Sequence, residues 1–203
     1  LLNLAALVDP PANSVIYHDQ GRVFEETGET WLLEVTPVDP GQPMRIMLTW
    51  TDAPGHGLGG TTPPLNNDLD LVVHAGGNTY LGNDFGTVGF STTGGTADTL
   101  NNAEAVFLEL PPNDITIRVL ADNLNSDGVP QFNDETDQDF ALVCYNCALA
   151  PDFALSMEPG PLELCAASPL EVPVVVEPLA GFGDPVTLTT VDLPAGATAQ
   201  FSE

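Results

Sequence analysis

Apolar and polar side chains alternate with a period of two in segment after segment of this chain. Residues 31–35 (WLLEV), 45–50 (RIMLTW) and 69–73 (LDLVV) show it, as do residues 103–110, 115–120 and 139–144. A period of two places successive side chains on opposite faces of an extended strand. Gly, Pro, Asn or Asp bounds each segment, and the 19 glycines and 19 prolines fall at short intervals along the chain. Such punctuation predicts many brief strands joined by turns, hence an all-β fold built as an antiparallel jelly roll or β-sandwich. No helical stretch separates the strands, which excludes a parallel βαβ architecture.

The two ends read differently. Residues 1–8 (LLNLAALV) have helical apolar spacing and stop at Asp9-Pro10-Pro11, so they predict the last helix of a preceding domain. The β-domain then spans 9–147, and residues 148–151 form a short linker. Beyond it, residues 153–157, 172–177 and 185–191 predict three strands of a second β unit over 151–203. That unit falls short of the roughly 100 residues of an immunoglobulin-type sandwich, so it is expected to be incomplete, and it resembles part of an immunoglobulin-like module.

Charge narrows the function. Of 203 residues, 29 are acidic and 3 are Lys or Arg, a formal net charge of −26. Phosphate-rich nucleic acid and anionic membranes would be repelled by such a surface. Self-repulsion of this size destabilises the compact state unless cations or salt relieve it. The hydrophobic fraction of 43% is nevertheless enough for a core. No apolar run approaches the ~18 residues of a spanning helix. The apolar start lacks the basic region and cleavage site of a signal peptide.

The acids are not spread evenly. Asn66-Asn67-Asp68-Leu69-Asp70-Leu71 is followed by Gly82-Asn83-Asp84, then by Asp98 and Asn101-Asn102-Ala103-Glu104. With Leu69, Leu71 and Val73 on one strand face, Asp68 and Asp70 share the other, about 7 Å apart at a rise of about 3.3 Å per residue. Glu104 has the parity of Val106, Leu108 and Leu110, which places a carboxylate at the rim of an apolar face. Its burial would cost several kcal/mol unless it is paired or neutralised. With so few basic residues, a hard cation bound by oxygen is the expected partner. Calcium fits best, with Asp68, Asp70, Asn83, Asp84, Asp98, Asn102 and Glu104 as candidate ligands. Asx turns capping their own backbone are the structural alternative for these residues.

A second acidic stretch, Asp122-Asn123-Leu124-Asn125-Ser126-Asp127-Gly128 with 133–137, resembles the start of an EF-hand loop. It lacks the twelfth-position Glu and flanking helices, and reads as a mobile, solvated loop, with a weak surface cation site as the second reading. Cys144 and Cys147 have CxxC spacing without a second such pair, so one structural disulfide and a leftover thiol are expected. The bond could join Cys144 to Cys147 or Cys147 to Cys165. His18, His56 and His74 are scattered and read as surface or loop residues. No serine sits in a nucleophile elbow, so no catalytic residue is assigned. Trp31, Trp50, Phe107 and Phe140 occupy strand positions suited to a core.

Several of these motifs also carry a resemblance. Leu48-Thr49-Trp50-Thr51-Asp52-Ala53-Pro54 followed by Asn67-Asp68-Leu69-Asp70-Leu71 resembles the region after the catalytic domain of secreted bacterial subtilisin-like serine proteases. The likeness continues through Gly82-Asn83-Asp84, Asn101-Asn102-Ala103-Glu104, Ile115-Thr116-Ile117-Arg118-Val119 and Gln138-Asp139-Phe140-Ala141-Leu142-Val143, over about residues 1–145. It implies a calcium-binding jelly roll comparable in placement to the P domain of proprotein convertases. It further implies secretion, a catalytic domain upstream as partner, and protein substrates for the parent enzyme. The family's catalytic motifs are not in this stretch, where His56-Gly57 is only an echo of the histidine motif. A calcium-dependent carbohydrate-binding or adhesion module is the other function such a fold would serve, with Tyr80, Phe85 and Phe90 as its aromatics.

Overall fold

The computed structural model describes residues 14–55, 57, 65–130, 132, 136–157, 171–191, 193, 196 and 198–201. The expected helix over 1–8, His56, Cys165 and residues 133–135 lie outside them. Within them the chain is all β. The strands are β1 (Val15–Phe24), β2 (Thr30–Pro37), β3 (Met44–Thr49), β4 (Asp68–Ala75), β5 (Asn78–Leu81) and β6 (Ala103–Leu108). After them come β7 (Ile115–Asn123), β8 (Gln138–Tyr145), β9 (Cys147–Leu149), β10 (Asp152–Met157) and β11 (Val174–Leu179). The chain divides into two units, Leu1–Ala150 and Pro151–Glu203.

In the first unit, one sheet has the order β1-β8-β3-β6 and the other β5-β4-β7-β2-β9. The pairing is nested: β4 with β5, β3 with β6, β2 with β7 and β1 with β8, all antiparallel. A long hairpin folded over on itself in this way is a jelly roll, as the alternation and turn signals predict. The innermost turn is Gly76-Gly77, with φ of 55° and 78°. Two left-handed residues match the twist of a two-residue hairpin, and glycine adopts them without a Cβ penalty.

Parity decides what each strand buries. Met44, Ile46 and Leu48 of β3 and Val106 and Leu108 of β6 face Leu69, Leu71 and Val73 of β4 and Ile115, Ile117 and Val119 of β7. Each fully buried aliphatic side chain stabilises by about 1.5–3 kcal/mol. Trp50 and Phe140 join this core as expected, and Trp31 packs partly against it. Phe107 does not. Since Glu104, Val106 and Leu108 face inward, Phe107 faces outward, where it packs beside Phe85 and under the Arg45 guanidinium, 4.8 Å from the ring centroid.

Other expectations are corrected. The pattern of β1 is broken by Asp19-Gln20-Gly21, where the strand bulges and Gln20 takes a φ of 51°. His18 is no loop residue: its ring lies 4.7 Å from Trp31 and 4.8 Å from Phe140, centroid to centroid. Burial lowers its pKa, against a smaller opposing pull from Asp19. His74 is exposed. Residues 148 and 149, expected in a linker, pair with β2. Cys144 and Cys147 form the disulfide across the β8–β9 turn, their Cα atoms 5.7 Å apart. In the second unit, β10 and β11 pair, while residues 185–191 form no strand.

The 124–128 loop is tied down, although Asn125 and Asp127 are exposed. Asn67, fully buried, is the hub. Its Nδ2 donates to Ser126 O (2.9 Å), Asp137 O (3.0 Å) and Gln138 Oε1 (3.0 Å), and its Oδ1 accepts from Asn125 N (2.8 Å) and Ser126 N (3.0 Å). Asp52 holds the approach, accepting from the backbone N–H groups of Asn66 and Asn67. Asn67→Ala should therefore destabilise the domain by about 3 kcal/mol in chemical denaturation, because buried partners lose their bonds. Leu32→Ala, at a side chain 58% exposed, should change it by less than about 1 kcal/mol.

Candidate cation site

Asp68 and Asp70 sit at the start of β4, their parity opposite to that of the core residues Leu69 and Leu71. The outer face of a sheet is ordinarily wet, yet these two residues are only 9% and 8% exposed. The Oδ1 atom of each is buried without a hydrogen-bond partner. Burial, then repulsion from Asp70, Asp122, Asp98 and Asp52, pushes the Asp68 pKa up to about 6. For Asp70, burial and Asp122 push it up to about 6, while Arg118 pulls the other way. Leaving such carboxylates ionised and unpaired is unfavourable.

Glu104 approaches from the other sheet. It stands opposite Leu48 in the β3–β6 ladder, with the inward parity of Val106, and is 1% exposed. Its Oε2 accepts a 2.7 Å hydrogen bond from the backbone N–H of Leu71. β5 ends at Leu81, and Gly82 N donates to Leu71 O (2.9 Å) as the ladder stops. The Glu104 carboxylate thus takes up the edge of β4 where β5 ceases to cover it. The side-chain space at Gly82 is filled by Glu104 itself, so a Cβ there would overlap the carboxylate. Oε1 is buried and unpartnered. Burial pushes the Glu104 pKa up to about 8, against the Leu71 N–H and with repulsion from Asp70, Asp98 and Asp68.

Asp98 is shifted the other way. Burial raises its pKa, but hydrogen bonds from Asn83, Asn101 and Leu100 outweigh that and lower it overall. Asn83 Nδ2 donates to Asp98 Oδ2 (2.6 Å) and to Ala103 O (2.9 Å), while its Oδ1 accepts from Ala105 N (3.0 Å). Asn83 therefore positions Asp98 against β6, and its carbonyl is already engaged. Two other candidate ligands turn elsewhere. Asp84 accepts from Thr92 Oγ1 (3.2 Å) and Gly95 N (3.1 Å), bracing its own loop, and Asn102 Nδ2 donates to Trp50 O (3.0 Å).

The structure thus brings Asp68, Asp70, Asp98 and Glu104 within electrostatic reach of one another. It adds Asp122, which the sequence placed in a separate acidic stretch. Asp137 of that stretch is fully buried, with Oδ1 accepting from Gly128 N (3.1 Å) and Val129 N (2.9 Å) and Oδ2 unpartnered. Among the described residues the one ion pair joins Arg22 to Glu29, on the surface. Among the same residues no group of three His, Cys, Asp or Glu side chains stands in an arrangement that could hold a metal ion as it is. What they offer is a set of unpartnered carboxylate oxygens from two sheets. That donor chemistry suits a hard cation, calcium above softer metals. No protein-family model and no curated protein matches this chain.

These shifts have a defined pH signature without added metal. A folded pKa above the unfolded value gives stability that is complete at low pH and lost as pH rises through the folded pKa. In chelator, the melting temperature should fall from about pH 4 to about pH 8, more steeply up to about 6, where Asp68, Asp70 and Glu104 all contribute, and then through Glu104 alone up to about 8. Ionising Glu104 costs on the order of 5 kcal/mol. Glu104→Gln should remove the upper part of that fall in a circular-dichroism melt. A flat profile for the unmodified chain would refute the burial of these groups.

Proposed function

We propose that this chain is a non-catalytic, calcium-stabilised C-terminal region of a secreted subtilisin-like serine endopeptidase, which braces the catalytic domain of its parent enzyme. The observation that carries the calcium part is the burial of unpartnered oxygens on Asp68, Asp70 and Glu104. The family part rests on the motifs around Trp50, Asp68–Asp70, Asn83 and Asn101–Glu104, together with the jelly-roll order of the strands.

Asp68, Asp70 and Glu104 would hold the ion, with Asp98 kept charged beside them by Asn83. A bound ion supplies positive charge that lets these carboxylates ionise inside the fold. Held only by the folded state, it stabilises that state by RT ln(1 + [Ca²⁺]/Kd), about 2.7 kcal/mol at a hundred times Kd. Exported proteins meet the calcium concentrations that extracellular sites of ~10⁻⁴–10⁻³ M affinity need. A braced domain would in turn slow local opening of the parent enzyme, and it offers a surface for protein substrate.

The carbohydrate-binding reading draws less support. Trp50 and Phe140 are in the core, Phe90 and Tyr80 are half-buried, and Phe85, 39% exposed, leans on Phe107. A sugar platform needs exposed stacking faces in a row.

Calcium should raise the melting temperature of the full chain, and chelator should reverse it. Asp70→Ala should remove most of that increment, whereas Asp114→Ala, exposed and remote from the cluster, should keep it. Equal melts with and without calcium would overturn the calcium reading. In the parent enzyme, chelation should shorten the half-life at elevated temperature, and Asp70→Ala should shorten it without chelator.

A further inference from the structure

We infer that Asp122, set beside Asp68 and Asp70 by a bulge in β7, is a further ligand of the same cation site. The inference rests on the calcium reading above and extends it to a residue from a different part of the sequence. Along the β4–β7 ladder, Ala75 faces Ile115, Val73 faces Ile117, Leu71 faces Val119 and Leu69 faces Ala121. The regular partner of Asp68 would be Asp122. Instead Asp68 pairs with Asn123, and Asp122 is the extra residue between Ala121 and Asn123.

A bulge of this kind sets two residues of one strand against a single residue of the other, and such bulges often re-aim a side chain beside a functional site. Ile115, Ile117, Val119 and Ala121 all point into the core. Alternation therefore sends Asp122 to the outer face, the face of Asp68 and Asp70. Like charges set opposite one another on a sheet are destabilising. Here they are placed together with no ion pair to any of them among the described residues.

The two buried carboxylates form the floor of the site, each with an unpartnered Oδ1 and more than nine-tenths of its surface covered. Asp122 is exposed, and so forms the rim from which an ion can enter with part of its water shell. Further along β7 the outer face changes character: Leu120 stands opposite Asp70 and Arg118 opposite Val72. The guanidinium thus bounds the acidic pocket on that side. Glu104 bounds it on the other, reaching the edge of β4 at Leu71. A hard cation of flexible coordination, calcium or a trivalent lanthanide, is the ligand class that an oxygen-only set of this shape accepts.

The test is a calorimetric titration of the full chain with calcium chloride, repeated with terbium, on the wild type, Asp122→Asn and Asp84→Asn. Asp84→Asn removes the same charge at a carboxylate bound to Thr92 and Gly95. The expected result is Kd raised tenfold or more by Asp122→Asn and less than twofold by Asp84→Asn, with the Asp122→Asn melt in chelator no lower than that of the wild type, because a like charge beside Asp68 and Asp70 is removed. Wild-type affinity in Asp122→Asn, or equal weakening in both variants, would overturn the role of Asp122 while leaving the calcium reading in place. A wild type that takes up neither ion would overturn both.

Discussion

A carboxylate drawn between two β-sheets has to be neutralised, and the Glu104–Leu71 contact is where this protein meets that demand. Glu104 has the inward parity of the core residues Val106 and Leu108, and its Oε2 replaces the backbone acceptor that β4 lacks beyond the end of β5. The hydrogen bond is useful only if the other oxygen is also satisfied, by a proton or by a positive ion. Everything nearby conforms to this: Gly82 leaves the volume, Asn83 orients Asp98, and Asp68 and Asp70 close the approach from the outer face. The contact also ties the two sheets together at a point where no strand joins them.

The jelly-roll pairing explains how so distant a set of residues comes together. β4 lies between β5 and β7, so its edge residues meet loops on one side and the β7 strand on the other. The chain between β5 and β6 supplies Asn83 and Asp98, β6 supplies Glu104, and β7 supplies Asp122. On the far side of Asp68, Asn67 turns into the 124–128 loop, bonds the backbone of Asn125 and Ser126, and ties both to Asp137 and Gln138 at the start of β8. Asn66-Asn67-Asp68-Leu69-Asp70 is therefore one short segment with two tasks. Its amide end holds a loop, and its acidic end faces the cluster.

Sequence periodicity made much of this legible. β3 and β7 alternate cleanly, and β4, β6 and β8 carry an apolar face of the same period, so their existence and facing could be read, and the parity of Glu104 with Val106 and Leu108 already placed its carboxylate inward. β1 escaped because Asp19-Gln20-Gly21 interrupts the pattern where the strand bulges. β5 escaped because Asn78-Thr79 begins it with polar residues, although Gly76-Gly77 was a usable hairpin signal. Asp122 belongs to the same class of failure as β1. A bulge adds a residue without changing composition, and so shifts pairing in a way that periodicity does not record. Asp84 and Asn102 were drawn in by proximity in sequence; in the fold Asp84 bonds within its own loop, to Thr92 and Gly95, and Asn102 Nδ2 bonds across to Trp50 O. Phe107 was assigned to the core by residue type, and the parity of its own neighbours overruled that.

The nested order of pairing also orders the entropy of assembly. Joining Ala75 to Asn78 closes a loop of two glycines, whereas joining Val15 to Tyr145 closes nearly the whole first unit. Closure entropy grows with the length of chain enclosed, so the ladder is least costly to build from the Gly76-Gly77 turn outward. The acidic cluster hangs on β4, β6 and β7, the inner and middle rungs of that ladder, and β1–β8 closes last. Repulsion among these carboxylates is thus met while the outer strands are still free, which makes counter-charge a matter of folding rate as well as of final stability.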